Sequence, residues 1–414
     1  MTTQTTTKKA ETRSKRRSSL LLGLGVGLAL AGAVALAGVA HQAAAASPEK
    51  MVFVSERTTG KGVNNPTGDA EIFRMNANGT GVRQLTFNTV FDTTPHLTPD
   101  GTKIVYQSQG SQPSNPEGDQ EIFVMNAVDG SGNTNLTNNR AILDERLPKI
   151  SPDGKKIAYW SEGEQVGNPQ ADPEIYAMNL DGSDQKNLTN NGVDVWEGAF
   201  SFSPDGQKIA YDTFGVQASN PDGDQEVYVM NAQDGSNQTN LTDNGPAVMD
   251  TEPAFSPDGG KIVYTSHGDQ PSNPGGDQEI YVMNADGTAE KNLTNHDTGN
   301  VFNYHAQFTP DGQRVLYASG GSQPSNPEGD QEIFAMNAVD GSAKKNLTND
   351  GAGVEEWYGI FSPDAQKILY HSRGAQASNP DGEGELYLMN ATDGSAKKNL
   401  TNNTSTEGYF DWGR

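Results

Sequence analysis

Residues 253–264 read Pro-Ala-Phe-Ser-Pro-Asp-Gly-Gly-Lys-Ile-Val-Tyr, and this stretch decides the fold. A short apolar run enters a Pro-Asp-Gly turn, where proline presets φ and glycine accepts a positive φ, and a second apolar run follows. A third run at Glu279–Asn284 and a fourth at 291–294 are joined by an Asp-Gly turn. We therefore predict four short antiparallel strands between residues 253 and 294.

The third run recurs along the whole chain, which makes repetition the strongest signal in the sequence. A four-stranded unit of about fifty residues stacks against its neighbours around an axis, as in a β-propeller. The alternative fold is a linear β-solenoid, but solenoid repeats are shorter and the ends of a solenoid need caps. The seven copies are 50 to 53 residues apart and begin at Glu71, Glu121, Glu174, Glu226, Glu279, Glu332 and Glu385.

The two ends of the chain predict how the ring closes. Residues 50–53 align with a second strand, and residues 408–414 align with the missing first strand, with Trp412 matching Phe255. Closure removes exposed strand edges, which otherwise promote aggregation. The predicted fold is all-β, a seven-bladed β-propeller of four-stranded antiparallel blades. Its repeats lie at about 50–94, 95–147, 148–199, 200–252, 253–305, 306–358 and 359–407, with the closing strand at 408–414.

The first 46 residues have the order of a secretory signal peptide. Lys15, Arg16 and Arg17 precede an uncharged apolar run over 20–40, and Ala43–Ala46 offer small residues for cleavage. The run is also long enough for a membrane anchor, and the arginine pair leaves twin-arginine export open. We predict cleavage after Ala46, a propeller over 47–414 that does not insert into the membrane, and an extracellular or periplasmic location.

The charge of the chain restricts its partners. The 414 residues carry a formal charge of −24, and because residues 1–46 contain six basic residues and one acidic residue, the remainder carries −29. A charge this negative repels nucleic acid and anionic membrane surfaces. It favours cations, basic proteins or neutral ligands. The absence of cysteine excludes disulfides and thiol catalysis.

The turn at 255–262 and the third strand with its Asn-Ala-Asp-Gly turn resemble the WD40-like repeats of TolB-type propellers, over residues 50–414. The resemblance implies a periplasmic or exported protein that docks other proteins on a propeller face. TolB itself has six blades and an additional N-terminal α/β domain. This sequence predicts seven blades, with three residues between the cleavage site and the first strand, which sets it apart from TolB itself.

Each loop between the second and third strands holds an Asn-Pro pair, with an acidic residue four positions after the asparagine and glutamate six positions after it. Ca²⁺ binds six to eight oxygen ligands in loops of this kind. Turn capping and contacts to the neighbouring blade explain the same side chains without a metal. The candidate calcium ligands are Asp119, Glu121, Asp224, Glu226, Asp277, Glu279, Asp330 and Glu332.

A second polar set lies six positions before the Ser or Thr of each first turn. This place precedes the innermost strand, so the set is predicted to ring one mouth of the central channel and to bind a cation or a basic peptide. Hydrogen bonds to backbone N–H groups between blades are the alternative. The set is Asp92, Glu145, Glu197, Asp250, Asn303, Glu356 and Glu407.

Aromatic residues occur in the same connections as this ring. Aromatic rings beside carboxylates suit the recognition of a peptide or a sugar, or they plug the mouth of the channel. The predicted partner-binding aromatics are Trp196, Tyr304, Trp357 and Tyr409.

Signals for catalysis are few. There is no Gly-x-Ser-x-Gly motif, and the five histidines after the signal occupy unlike repeat positions without metal-ligand spacing. We predict a non-catalytic, monomeric scaffold that docks a protein or peptide partner on its acidic loops, with Ca²⁺ as an additional ligand. The alternative is a glycan-active enzyme such as a polysaccharide lyase, a class that includes seven-bladed propellers, with His305 as a candidate catalytic residue.

Overall fold

The computed structural model describes residues 50–139, 143–165, 167–296 and 300–413. These residues form seven four-stranded antiparallel sheets, the blades of a β-propeller. The predicted fold class is therefore confirmed. The predicted signal peptide, residues 1–46, lies outside the described residues. Within those residues, no helix is both long enough and apolar enough to cross a bilayer.

The strands run outward through each blade, with the first strand innermost and the fourth at the outer edge. Blade 1 consists of β28 (Glu407–Gly413), β1 (Lys50–Ser55), β2 (Glu71–Asn76) and β3 (Arg83–Gln84). Blades 2 and 3 consist of β4 (Phe91–Leu97), β5 (Lys103–Gln109), β6 (Gln120–Asn126), β7 (Thr134–Asn135), β8 (Asp144–Ile150), β9 (Lys156–Glu162), β10 (Glu174–Asn179) and β11 (Lys186–Asn187).

The remaining blades repeat the same order of strands. Blades 4 and 5 consist of β12 (Trp196–Phe202), β13 (Lys208–Phe214), β14 (Gln225–Asn231), β15 (Thr239–Asn240), β16 (Met249–Phe255), β17 (Lys261–His267), β18 (Glu279–Asn284) and β19 (Lys291–Asn292). Blades 6 and 7 consist of β20 (Phe302–Phe308), β21 (Arg314–Gly320), β22 (Glu332–Asn337), β23 (Lys345–Asn346), β24 (Glu355–Phe361), β25 (Lys367–Arg373), β26 (Glu385–Asn390) and β27 (Lys398–Asn399).

The C-terminal strand closes the ring as the sequence predicts. β28 pairs antiparallel with β1, with Trp412 opposite Met51 and Phe410 opposite Phe53. The Phe410 ring also stacks on Tyr358 of blade 7, with 4.6 Å between centroids and 6° between planes. The last strand therefore belongs to the first blade and packs against the seventh.

The hydrophobic core lies between blades. Apolar side chains of adjacent blades form shared clusters, as where Val263 and Ile280 of blade 5 pack with Phe308 and Val315 of blade 6. The second and third strands are buried on both faces, which explains their nearly continuous apolar runs. Each blade also holds one aromatic pair across these strands, with centroids 5.6–5.9 Å apart.

The innermost strands differ from the sequence-based prediction. In blade 5 the strand starts at Met249, four residues before the predicted start at Pro253, and contains a β-bulge between Thr251 and Ala254. The bulge breaks the alternation that marks a strand in the sequence, so the part before it was not recognised. The fourth strands are shorter than predicted, with two paired residues each.

The closure geometry gives a stability prediction. Replacing Phe410 by alanine should lower the free energy of unfolding by about 3–5 kcal/mol, because it removes a buried ring between blades 1 and 7. Phe91 is the matched control, since it also lies in an innermost strand but is 56% exposed. Urea denaturation of Phe410→Ala and Phe91→Ala makes the comparison. Equal midpoints for the two variants would contradict closure by β28.

Candidate functional site

The antiparallel blades place two kinds of connection on the same face of the propeller. The links from second to third strand and from fourth strand to the next blade both emerge at this end, which we call the loop face. Its second-to-third links hold fourteen acidic residues, and its described blade-to-blade links hold three more. Arg57 and Lys61 are the basic residues among them. The loop face is therefore strongly negative.

The opposite face, which we call the turn face, has a balanced charge. Its Ser/Thr-Pro-Asp and Asp-Gly turns supply aspartates such as Asp129 and Asp258. In total these links hold fourteen acidic residues and three lysines, Lys155, Lys344 and Lys397. The remaining negative charge is offset because each second strand begins at this end with a basic residue, and five of the short fourth strands carry one more. These basic residues are Lys50, Lys103, Lys156, Lys208, Lys261, Arg314 and Lys367 in the second strands, and Arg83, Lys186, Lys291, Lys345 and Lys398 in the fourth strands. The negative charge of the molecule is therefore concentrated on the loop face.

The Asn-Pro loops are held by their own side chains. In blade 2, Asn115 Nδ2 donates to the Asp119 carbonyl at 2.8 Å, and Asn115 Oδ1 accepts from the Gly118 N–H at 3.0 Å. One carboxylate oxygen of Asp119 accepts from Leu143 N–H in the next blade at 3.2 Å. Asp330 makes the same kind of contact with Gly353 at 3.0 Å. Turn capping and contacts between blades therefore account for these residues.

The candidate calcium ligands have unequal surroundings. Their glutamates, Glu121, Glu226, Glu279 and Glu332, are buried and each accepts a hydrogen bond from a threonine hydroxyl that follows the fourth strand. Asp277 is also buried. Blade 4 differs, because carboxylate oxygens of Asp222, Asp224 and Glu226 all lie within 4.8 Å of one another. The exposed Asp222 adds a third carboxylate that the predicted ligand set omits.

The predicted channel-mouth ring lies inside the blade interfaces. All seven side chains are at most 2% exposed, so they do not form an open rim. Each carboxyl faces the third-strand glutamate of the preceding blade. Within its own blade it lies opposite a serine or threonine of the second strand, as where Ser372 Oγ donates to Glu356 at 2.8 Å. The facing pairs are Glu71 with Asp92, Glu121 with Glu145, Glu174 with Glu197, Glu226 with Asp250, Glu332 with Glu356 and Glu385 with Glu407.

These buried pairs hold protons near neutral pH. Burial raises the pKa of Glu145 to about 9, and the facing Glu121 adds to the shift. Burial raises the pKa of Glu71 to about 9, and the facing Asp92 adds to the shift. Two facing carboxyls that are buried together repel each other when both are ionised. One of them therefore keeps its proton and donates it in a hydrogen bond to the other. Each such pair therefore keeps at least one proton and acts as a hydrogen-bonding group between blades.

Two interfaces depart from this arrangement. Between blades 5 and 6 the ring position is Asn303, whose side-chain amide donates to the Gln278 carbonyl at 3.0 Å. Between blades 7 and 1, Arg57 lies 2.8 Å from Glu407 and also rests over the Phe53 and Phe73 rings. At these two interfaces an amide or a guanidinium donates the hydrogen bond that a shared proton supplies at the others.

The predicted partner-binding aromatics lie in the innermost strands. Trp196 is the first residue of β12, and Tyr304, Trp357 and Tyr409 are each the third residue of their strands. All four are half-buried. The structure thus places them beyond the connections in which they were expected.

The exposed apolar residues of the loop face were missed by sequence reasoning. Phe91, Met249 and Phe302 occupy the same position as Trp196 in blades 2, 5 and 6, and each has more than a third of its surface exposed. The sequence does contain a signal for these residues, because each of them immediately precedes a residue of the ring, namely Asp92, Asp250 or Asn303.

A charged cluster lies at the bulges of the innermost strands. Glu252 and His305 occupy equivalent bulge positions with φ values of 56° and 54°, a conformation that costs energy for side chains other than glycine. His305 Nδ1 lies 3.0 Å from one Glu252 carboxylate oxygen, and the backbone N–H of His305 donates to the other at 2.8 Å. Although burial opposes it, this pairing lowers the pKa of Glu252. Burial lowers the pKa of nearby Lys149 to about 8.

The fold and the repeats define a seven-bladed β-propeller, and part of the chain is similar to TolB-type propellers. The family model of the TolB β-propeller domain matches residues 172–323. A TolB homolog of Chlorobium luteolum is 30% identical over 154 residues, 36% of this chain and 30% of that protein. An uncharacterised protein of Agrobacterium fabrum is 25% identical over 229 residues, 55% of this chain and 66% of that protein. The chain is therefore similar to TolB-type propellers over residues 172–323, and it spans 66% or less of the length of these relatives.

Several enzymes of known structure share the propeller fold of this chain. A puromycin-hydrolysing peptidase of Mycobacterium tuberculosis has a TM-score of 0.61 at 15% identity, covering 90% of this chain and 55% of its own. An oligogalacturonate lyase of Vibrio parahaemolyticus has a TM-score of 0.55 at 14% identity, covering 73% of this chain and 80% of its own. Identities this low establish a common propeller architecture and nothing further.

The carboxyl pairs predict the pH dependence of stability. In each pair at least one carboxyl has a folded pKa above the ordinary value near 4, so the stability that the pairs contribute is complete below about pH 4 and is lost progressively as the pH rises from there to about 9. The aspartates of the turns have the opposite effect. A hydrogen bond from Ser256 lowers the pKa of Asp258, so the stability that Asp258 contributes is lost as the pH falls into the acid range. Calorimetry at constant ionic strength should therefore show the highest Tm near pH 5.

A variant that imitates Asn303 isolates one pair. In Glu356→Gln the amide can donate to Glu332, so at pH 8 the Tm should rise by about 2 °C, with no rise at pH 5. The exposed Glu328→Gln, on blade 6 beside Glu332, is the matched control. A Tm that does not change between pH 5 and 9, or an equal effect of both substitutions, would refute the proton-sharing interpretation.

Proposed function

We propose that this propeller is an exported, non-catalytic scaffold that docks a protein or peptide partner on its loop face. The observation that carries the proposal is the charge of that face, with seventeen acidic and two basic residues in the described connections. Such a surface attracts a cationic partner from a distance and speeds association. The balanced turn face offers no comparable attraction.

Export is part of the same proposal. It rests on the signal-like order of residues 1–46 and on the similarity to TolB homologs. The absence of cysteine is compatible with an oxidising compartment, because no thiol is available to form an unwanted disulfide. N-terminal sequencing of the exported protein should place its first residue at Ser47.

A second candidate, a glycan-active enzyme, is favoured by the Glu252–His305 pair. A carboxylate that orients Nδ1 of a histidine leaves Nε2 as a potential general base. The surroundings favour neutral glycans over uronates, because Glu252 and the acidic loop face repel a polyanion. If this alternative is correct, the protein cleaves a glycan and the His305→Gln variant does not.

Calcium is proposed as an additional ligand at the Asp222, Asp224 and Glu226 loop of blade 4. Three carboxylates within 4.8 Å supply the oxygen ligands that Ca²⁺ prefers. Burial and the neighbouring Asp222 raise the pKa of Asp224 to about 6. A divalent cation would offset this repulsion and favour the ionised form.

Partner capture tests the docking proposal. Neutralising Asp243, Asp269 and Glu328 to the corresponding amides removes three exposed loop-face charges, and should reduce capture of the partner from exported fractions severalfold. The matched control neutralises Asp129, Asp234 and Asp340 on the turn face and should retain capture. Quantitative mass spectrometry of the captured proteins compares the two. Equal capture by both variants would contradict docking on the loop face.

Thermal melting tests calcium binding. Millimolar Ca²⁺ should raise the Tm by several degrees and equal Mg²⁺ by much less, because Mg²⁺ demands stricter geometry and holds its waters. The Ca²⁺ effect should vanish in Asp222→Asn and persist in Asp381→Asn, the corresponding position of blade 7. Equal effects of the two ions, or an unchanged melt in EDTA, would exclude the proposal.

A further inference from the structure

We propose that the partner is a cationic segment with apolar anchor side chains, and that it binds across the loop-face ends of blades 4 to 6. This inference rests on the proposed function and adds the chemistry of the partner and its position. It is carried by an exposed apolar group and the acidic residues around it.

The apolar group, which we call the apolar arc, spans three adjacent blades. It consists of Trp196, Phe214 and Val216 of blade 4, Met249 of blade 5 and Phe302 of blade 6. Trp196 and Phe214 face each other across the strand pair β12–β13. Phe302 is 52% exposed and Met249 38%. Apolar side chains gathered at one place on a surface mark an interaction site, whereas scattered ones do not.

Acidic residues of the same three blades surround the arc. Asp194, Asp222, Asp243 and Asp269 are exposed in the connections beside it. The described loop-face connections of blades 4 to 6 contain neither lysine nor arginine. An apolar centre with a charged rim is the usual anatomy of a protein interface.

This combination selects one kind of occupant. A second copy presenting the same face, an anionic membrane and a polyuronate would all bring negative charge to a negative rim. A neutral apolar segment would leave the rim carboxylates without partners. A segment that carries lysine or arginine beside phenylalanine or leucine can pack its apolar side chains on the arc and pair its charges with the surrounding aspartates.

Labelled synthetic peptides test the inference with the mature protein. A short peptide of alternating lysine and phenylalanine should bind, measured by fluorescence anisotropy at physiological salt. A lysine–serine peptide of equal charge should bind about tenfold more weakly, and a glutamate–phenylalanine peptide should not bind. Failure of the lysine–phenylalanine peptide to bind, or equal binding of the lysine–serine peptide, would overturn the inference.

Variants locate the site. Met249→Ser combined with Phe302→Ser should weaken binding of the lysine–phenylalanine peptide about tenfold. The matched control, Val128→Ser with Val339→Ser, removes exposed apolar residues of the turn face and should leave affinity unchanged. Thermal melts verify that both variants are folded, which their exposure favours. Equal affinity of both variants would show that the arc is not the binding site.

Competition separates this inference from docking itself. If the captured partner depends on loop-face charge but is not displaced by the lysine–phenylalanine peptide, the proposed function stands and the inference fails. If capture does not depend on loop-face charge, the proposed function fails irrespective of the peptide result. Displacement that is lost in Met249→Ser with Phe302→Ser supports both.

Discussion

The pairing of β28 with β1 is the constraint on which the rest of the structure depends. A single blade exposes apolar residues on both faces, and each blade buries them only against its two neighbours. An open array would leave two such faces in water. By placing Trp412 opposite Met51 and Phe410 against Tyr358, the last strand converts seven separate sheets into a ring with no free face.

Closure also determines where charge accumulates. Because all blades have the same orientation, any residue repeated at one place in the sequence appears seven times on one face. Acidic residues in the Asn-Pro loops therefore add to one another, whereas the basic residues that begin each second strand lie at the other end. The glutamates within the interfaces escape this repulsion, since burial raises the pKa values of pairs such as Glu121 and Glu145 and keeps a proton between them. Repetition thus concentrates negative charge on one face, while the carboxyl pairs between blades stay partly protonated.

The sequence predicts the architecture more completely than the site, for physical reasons. The third strands and the closing strand follow from local patterns, since turn chemistry and apolar runs act over a few residues. The ring residues were recognised, yet their burial depends on a glutamate of the preceding blade, as with Glu145 and Glu121, which no local pattern reveals. The bulges were missed because an unpaired residue such as Glu252 shifts the register. Phe302 was overlooked because one apolar residue in a polar connection is ordinary.

The split first blade has a consequence for the order of folding. During synthesis, blades 2 to 7 can each assemble as soon as their own four consecutive strands have emerged. Strand β1 (Lys50–Ser55) is made before every other strand of the ring, yet it must wait for β28 (Glu407–Gly413), which is made after all of them. Until β28 is available, the first blade is an incomplete sheet with an unpaired edge. The ring therefore stays open until its first and last strands can complete each other.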